Sequence, residues 1–227
     1  MNAHETTRRF RDELASLRET GSTMLVVGEV PTEVSQRACS TLCGDPATER
    51  VAVRTGGGCT CLDHAADTGH GHTVEWAGRA RGAAAATETG TGTGDLQFAR
   101  AEGDAAEVRT LAELGEATTA AVERAAEGAD AGDLRVCVDS LGPLVEASSE
   151  RAVFKYLHQL NATARDAGGI SHVHLPMDRE TERATVLGAL FDVTVELELF
   201  GGEPRQRWYL HEAGIVSDWL PVGVSGE

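Results

Sequence analysis

The apolar positions of this chain follow helical and strand periods in turn. Phe10, Leu14 and Leu17 recur at helical spacing within residues 5–19, which predicts a short amphipathic helix. Gly21-Ser22 ends it. Met24-Leu25-Val26-Val27-Gly28 is an unbroken apolar run stopped by glycine, the pattern of a strand buried on both faces. A helix is expected from about Thr32 to Leu42, broken by Gly44-Asp45-Pro46. A second short strand, Val51-Ala52-Val53, runs into Gly56-Gly57-Gly58. From Cys59 to Gly94 the period is lost. That stretch reads as a flexible insert or loop with one strand candidate at Thr73 to Ala77 and a low-complexity Thr-Gly alternation at Thr89 to Gly94. Leu96 to Ala99 resumes strand character. A helix is then expected from Ala105 to about Glu127, with Val108, Leu111, Leu114 and Val122 on one side.

The second half alternates more regularly. Leu134 to Asp139 is an apolar strand that ends in an acid, with Cys137 read as a small core residue. Ser149 or Glu150 opens a helix to about Ala167 with Val153, Tyr156, Leu157 and Leu160 inward, terminated by Gly168-Gly169. Ile170 to Leu175 is a strand stopped by Pro176, and Arg179 to Leu190 is helical. Val193–Phe200 and Arg205–His211 flank Gly201-Gly202 as a hairpin. Strands alternating with helices predict an α/β fold with a mostly parallel central sheet covered on both faces, made mixed by a C-terminal antiparallel hairpin. The expected organisation is an N-terminal helix over residues 1–20 and a single domain over 21–227, with 59–94 as its insert.

Charge changes the picture of the environment. The chain holds 36 acidic and 20 basic residues, a net charge of −16, and Lys155 is its single lysine. Self-repulsion of this size opposes a compact state in dilute buffer, whereas at 1 M salt the Debye length shrinks to ~3 Å. An acidic, lysine-poor, Ala-rich surface spread along the whole chain therefore points to a halophilic cytoplasm. The same charge argues against nucleic acid, whose phosphates require Lys and Arg. No apolar run approaches the ~18 residues of a membrane span, and the charged residues 1–20 contain no secretory h-region. The cytoplasm is the expected location, and the five cysteines are expected to be reduced there.

The segments Ala152-Val153-Phe154-Lys155-Tyr156-Leu157-His158-Gln159-Leu160, Gly168-Gly169-Ile170-Ser171-His172-Val173-His174-Leu175 and Leu190-Phe191-Asp192 resemble a haloarchaeal family of RecA/KaiC-like proteins. Its members look like RecA-superfamily ATPases that have shed part of their catalytic apparatus. The resemblance covers about Leu134 to Trp219 well and Cys59 to Gly94 weakly. It implies a RecA-like three-layer fold in which Gly28 to Ser35 occupies the phosphate-loop position. A working loop reads G-x-x-x-x-G-K-[ST], because backbone amides wrap the phosphates and lysine reaches their outer oxygens. Here Glu33 stands at the second glycine, Val34 at the lysine, and Ser35 alone survives. Asp139, with Ser140 after it, falls at the Walker B position, where active relatives hold magnesium; the pair can equally cap the following turn. Spacing does not single out a catalytic base among Glu29, Glu75 and Glu102.

Two further groupings carry chemistry. Cys59, Cys61, His64, His70 and His72 offer five soft or borderline ligands in fourteen residues, a donor set suited to zinc or copper(I). Cys39 and Cys43, spaced i, i+4 on a helix, can add two more. Their spacing matches no standard finger. His172 and His174 sit two apart on a strand and so share a face, with Asp178 just beyond, where Asp139, His174 and Asp178 can form a site at the sheet edge. Gly56–Gly58 and Gly90-x-Gly92-x-Gly94 lack the strand–helix context of a dinucleotide fingerprint. The leading expectation is a non-catalytic RecA/KaiC-like pseudo-ATPase, a regulatory or interaction module that pairs with itself or another protein and needs no cofactor. A divergent ATPase that binds ATP and magnesium, and a Cys/His-loop zinc sensor, stay open beside it.

Overall fold

The computed structural model describes residues 3–45, 48–56, 58, 71–77, 106–130 and 132–223. In chain order the elements are α1 (Ala3–Thr20), β1 (Ser22–Val27), α2 (Thr32–Leu42), β2 (Glu49–Arg54), β3 (Gly71–Trp76), β4 (Ala106–Val108), α3 (Leu111–Ala126), β5 (Leu134–Val138), α4 (Gly142–Ala147), α5 (Glu150–Asp166), β6 (Ile170–Leu175), α6 (Glu182–Gly188), β7 (Val193–Phe200), β8 (Glu203–Leu210), β9 (Ile215–Val216) and β10 (Leu220–Pro221). The strands form one sheet in the order β10-β8-β7-β1-β6-β5-β2-β3-β4, with β9 paired to β8. Every pair from β7 to β4 is parallel. The β7–β8 hairpin and its short additions are antiparallel. This is the expected α/β architecture with a mostly parallel sheet and a C-terminal hairpin.

Alternation along the strands divides the core between two faces. Leu25 and Val27 of β1, Val136 and Val138 of β5, and Val173 and Leu175 of β6 join the buried faces of α3 and α5. Met24 and Val26 point the other way, with Phe10 and Leu14 of α1, Ala38 of α2, and Val193, Val195, Trp208 and Leu210 of the hairpin. Helices thus cover both sides of the sheet, and the residues of α1 are built into the second core. Helix α5 buries Val153, Tyr156, Leu157, Leu160 and Ala164, the stripe its sequence predicts. Ser149 caps it by accepting from the Ala152 N–H.

Three expectations need correction. The helix expected from Ala105 starts only at Leu111, because Thr110 and Glu113 form a reciprocal capping box there, and the preceding Ala106–Val108 pairs with β3 as an edge strand. The helix expected from Arg179 to Leu190 is shorter. Asp178 and Thr181 organise a turn first, and Thr181 caps α6 by accepting from the Ala184 N–H. The short α4 was not expected. It follows Leu141 with proline in its first turn. The expected strand at Leu96 to Ala99 lies outside the described residues. Among the described residues no helix is long and apolar enough to cross a membrane.

Candidate functional site

Strand β1 stops at Gly28, whose φ of 136° suits glycine alone and whose absent side chain matters. A Cβ there would lie 2.2 Å from the Leu197 carbonyl oxygen on β7. The chain can therefore turn across the top of the sheet into α2. Because β6 lies between β1 and β5, this turn faces Asp139 across His174. The result is a cleft of about 260 Å³ lined by Val26, Gly28, Val30, Thr32, Ser35, Gly56, Gly58, Asp139, Ser140, His174, Leu175, Pro176 and Leu197. It opens at the carboxyl ends of the parallel strands, where open α/β sheets place ligands.

The groups expected to meet a phosphate are bound to the protein itself. Asp139 is buried, at 7% exposure. One carboxylate oxygen accepts from the Thr55 N–H at 2.8 Å and the Thr55 hydroxyl at 2.7 Å, and the other accepts from the Gly58 N–H at 3.1 Å. Its observed bonds tie the loop after β2 to the end of β5. Ser140 helps in the same way, its hydroxyl accepting from the Gly142 N–H at 3.1 Å. Ser35 places its hydroxyl 3.1 Å from Nδ1 of His174. The Gly28 N–H donates to the Met177 carbonyl, and the Val34 and Ser35 N–H groups both donate to the Pro31 carbonyl.

The side chains at the loop positions named from the sequence also take up defined places. Val34, at the lysine position, packs with Val30 against the core on the α1/α2 face. Glu33 points to solvent from the first turn of α2 and does not line the cleft. Its carboxylate thus stays outside the cleft. The described lining of the cleft contains no lysine or arginine, and Ser35 and Asp139 are hydrogen-bonded within the protein. Lys155 is exposed on α5.

Beneath the cleft, on the α2 side of β5 and β6, polar groups replace the apolar contacts usual between a helix and a parallel sheet. Cys137 of β5 and His172 of β6 are register neighbours, and Cys39 of α2 lies over both. The Cys39 sulfur is 3.4 Å from that of Cys137 and 3.5 Å from Nε2 of His172. His174, one repeat further along β6, stacks edge-on to His172 with ring centroids 5.6 Å apart. All four residues are buried, and one ligand atom from each lies within 4.8 Å of the others. Cys43 flanks the group, its sulfur 3.9 Å from that of Cys39 and 3.8 Å from His172 Nε2. It is disulfide-bonded, contrary to the expectation that every cysteine is reduced; Cys39 and Cys137 are thiols.

Of the remaining sequence candidates, the described residues His72 and Asp178 stand apart from this cluster. Cys59, Cys61, His64 and His70 lie outside the described residues. His72 is on β3, three strands from β6, or about 14 Å at ordinary strand spacing. Asp178 accepts from the Glu180 N–H at 2.9 Å in the turn before α6 and does not line the cleft. His174 and Asp139 both line it.

The crystal structure of a KaiC-like protein from the hyperthermophilic archaeon Pyrococcus horikoshii OT3 is similar at 11% identity and a TM-score of 0.48, over 85% of this chain and 79% of that one. No curated protein sequence matches significantly. Residues 21–197, from the first strand to the middle of β7, match the model of DUF7504, a family of unknown function, and the chain belongs to that family.

Proposed function

We propose that this chain is a pseudo-ATPase: a RecA/KaiC-like domain that keeps the sheet of a nucleotide-binding protein as a regulatory or protein-interaction module of a halophilic cytoplasm, and does not hydrolyse nucleotide. One observation carries the reading. The two polar residues that survive from the phosphate apparatus, Ser35 and Asp139, are bonded to His174, Thr55 and Gly58. The described lining of the cleft holds no cation. Its volume of about 260 Å³ falls below the roughly 300–1,000 Å³ of ordinary small-molecule sites. Transfer of a phosphoryl group depends almost wholly on positioning and positive charge, and the described lining supplies no positive charge. The expected partner is a second copy of the chain or another protein, since nothing in the cleft replaces the lost chemistry.

Titration of the protein with a fluorescent ATP analogue and magnesium in molar KCl tests the reading. No saturable binding is expected at micromolar nucleotide. Micromolar affinity abolished by Asp139→Ala would instead assign the cleft to a divergent ATPase.

A further inference from the structure

We propose that Cys39, Cys137, His172 and His174 form a zinc site that fastens α2 to strands β5 and β6. The residues come from three elements and converge in the middle of a helix–sheet interface. Two are on β6 at i and i+2, one is its register neighbour on β5, and one comes from the helix above. With zinc–sulfur bonds of about 2.3 Å and zinc–nitrogen bonds of about 2.05 Å, a tetrahedral site has S···S edges of about 3.8 Å and S···N edges of about 3.6 Å. The Cys39–Cys137 and Cys39–His172 separations are 3.4 Å and 3.5 Å, within a few tenths of an ångström of those edges, and every other separation among the four ligand atoms is at most 4.8 Å. Two thiolates with two imidazoles are the donor set of a closed, structural zinc site. The burial of all four suits an ion shielded from water.

An outer contact is already in place. With the Ser35 hydroxyl accepting from Nδ1–H of His174, across the observed 3.1 Å, Nε2 is the nitrogen that keeps its lone pair, the arrangement by which hydrogen-bonded neighbours fix a ligating imidazole. Ser35 thus acquires a role in orienting the His174 imidazole. His174 and Ser35 also line the cleft, so metal occupancy fixes the wall of that cleft as well as the helix. None of its four ligands comes from Cys59 to His72, and the proposal stands whether or not the cleft takes nucleotide.

The test is cobalt titration of tag-free full-length protein, stripped with chelator and kept in reducing buffer with molar KCl. The expected result is one equivalent of Co²⁺ giving the intense visible bands of a tetrahedral site and a thiolate charge-transfer band, both erased by added Zn²⁺. Cys137→Ser and His172→Asn should each weaken binding by more than the roughly 10–100-fold expected for loss of an outer contact, and Ser35→Ala, at the half-buried rim, by about 10–100-fold. Replacing Cys59 and Cys61 together by serine should leave the spectrum unchanged. Absence of a tetrahedral spectrum in the wild-type protein would overturn the proposal, and this outcome needs no variant to fold. Survival of the spectrum in Cys137→Ser, or its loss in the Cys59/Cys61 double variant, would likewise overturn it by moving the metal elsewhere.

Discussion

Replacing Asp139 by alanine removes the acceptor for two backbone N–H groups, and one of the two acceptors within reach of the Thr55 hydroxyl, at the junction of the Thr55 loop and β5; the other, the Ser140 carbonyl at 2.6 Å, remains. Each hydrogen bond to a charged group contributes about 1.5–3 kcal/mol net, and a buried donor left without its acceptor costs about 1–3 kcal/mol. The three bonds share one carboxylate and are not additive, and water at the cleft mouth recovers part of the loss. The expected destabilisation is therefore about 3–5 kcal/mol. For a domain of this size each kcal/mol lowers Tm by about 2–4 °C, so the variant should melt roughly 8–15 °C below wild type. Asp139→Asn keeps one acceptor oxygen but sets an amide against a donor, and should fall about midway. Thermal melts in molar KCl, read by circular dichroism and fluorescence together, measure both. An acid held in readiness for magnesium behaves differently, because functional groups are often neutral or costly to stability. An Asp139→Ala protein that melts within about 2 °C of wild type, the range of an ordinary surface change, would refute the clasp.

Other consequences can be checked with the same melts. Gly28→Ala drives a Cβ against the Leu197 carbonyl at a φ of 136° and should cost about 3 kcal/mol or leave little folded protein; a change under 1 kcal/mol would mean that the turn relaxes freely. Asp192 accepts from the Thr23 N–H and hydroxyl at 2.8 Å and 2.9 Å, whereas its ion pair with Arg165 is part-exposed. Asp192→Ala should accordingly cost about 1–3 kcal/mol and Arg165→Ala under about 1 kcal/mol, an order that equilibrium denaturation can reverse if the reasoning fails. Thr110→Ala breaks the capping box of α3 and should cost about 1 kcal/mol. Partial burial holds the His211 imidazole below its ordinary value, against the opposing charge of Asp192. The unfolded chain therefore binds the proton first, so this contribution is present above about pH 6.5 and is lost as pH falls toward the folded-state value; His211→Gln should flatten that part of the stability profile.

The alternation of apolar strands with amphipathic helices made the sheet and its two covering layers readable. Helix α2 and strands β6 and β7 carry the boundaries that the sequence predicts. Those elements have strong local signals: a proline before the first turn of α2, glycines before β6, and alternating apolar positions along β7 up to Gly201. The short α4 and the edge strand β4 lack such signals, and what places β4 is pairing with a strand more than thirty residues earlier. Ser35, Asp139, Ser140 and His174 were identifiable as residues of the cleft because strand ends and the phosphate-loop pattern can be read locally. Thr55 and Gly58 were not, since their contact with Asp139 spans more than eighty residues. The Cys39–Cys137–His172 grouping was missed for the same reason. Cys137 lies in an apolar run and resembles a small core residue, and only the β5–β6 register brings it beside His172. The available clue was the His-x-His pair in a strand buried on both faces, where imidazoles need partners.

The central claim is that the cleft after β1 does not seat a triphosphate. Its most direct measurement is the melting temperature in molar KCl with millimolar magnesium-ATP, set against matched magnesium chloride. A nucleotide held with a Kd one hundredth of its concentration would stabilise the fold by about 2.7 kcal/mol, a rise of roughly 5–10 °C for a domain of this size. Superimposable curves are expected; a rise of that size, lost when Ser35 or Asp139 is replaced, would show that the cleft does seat nucleotide.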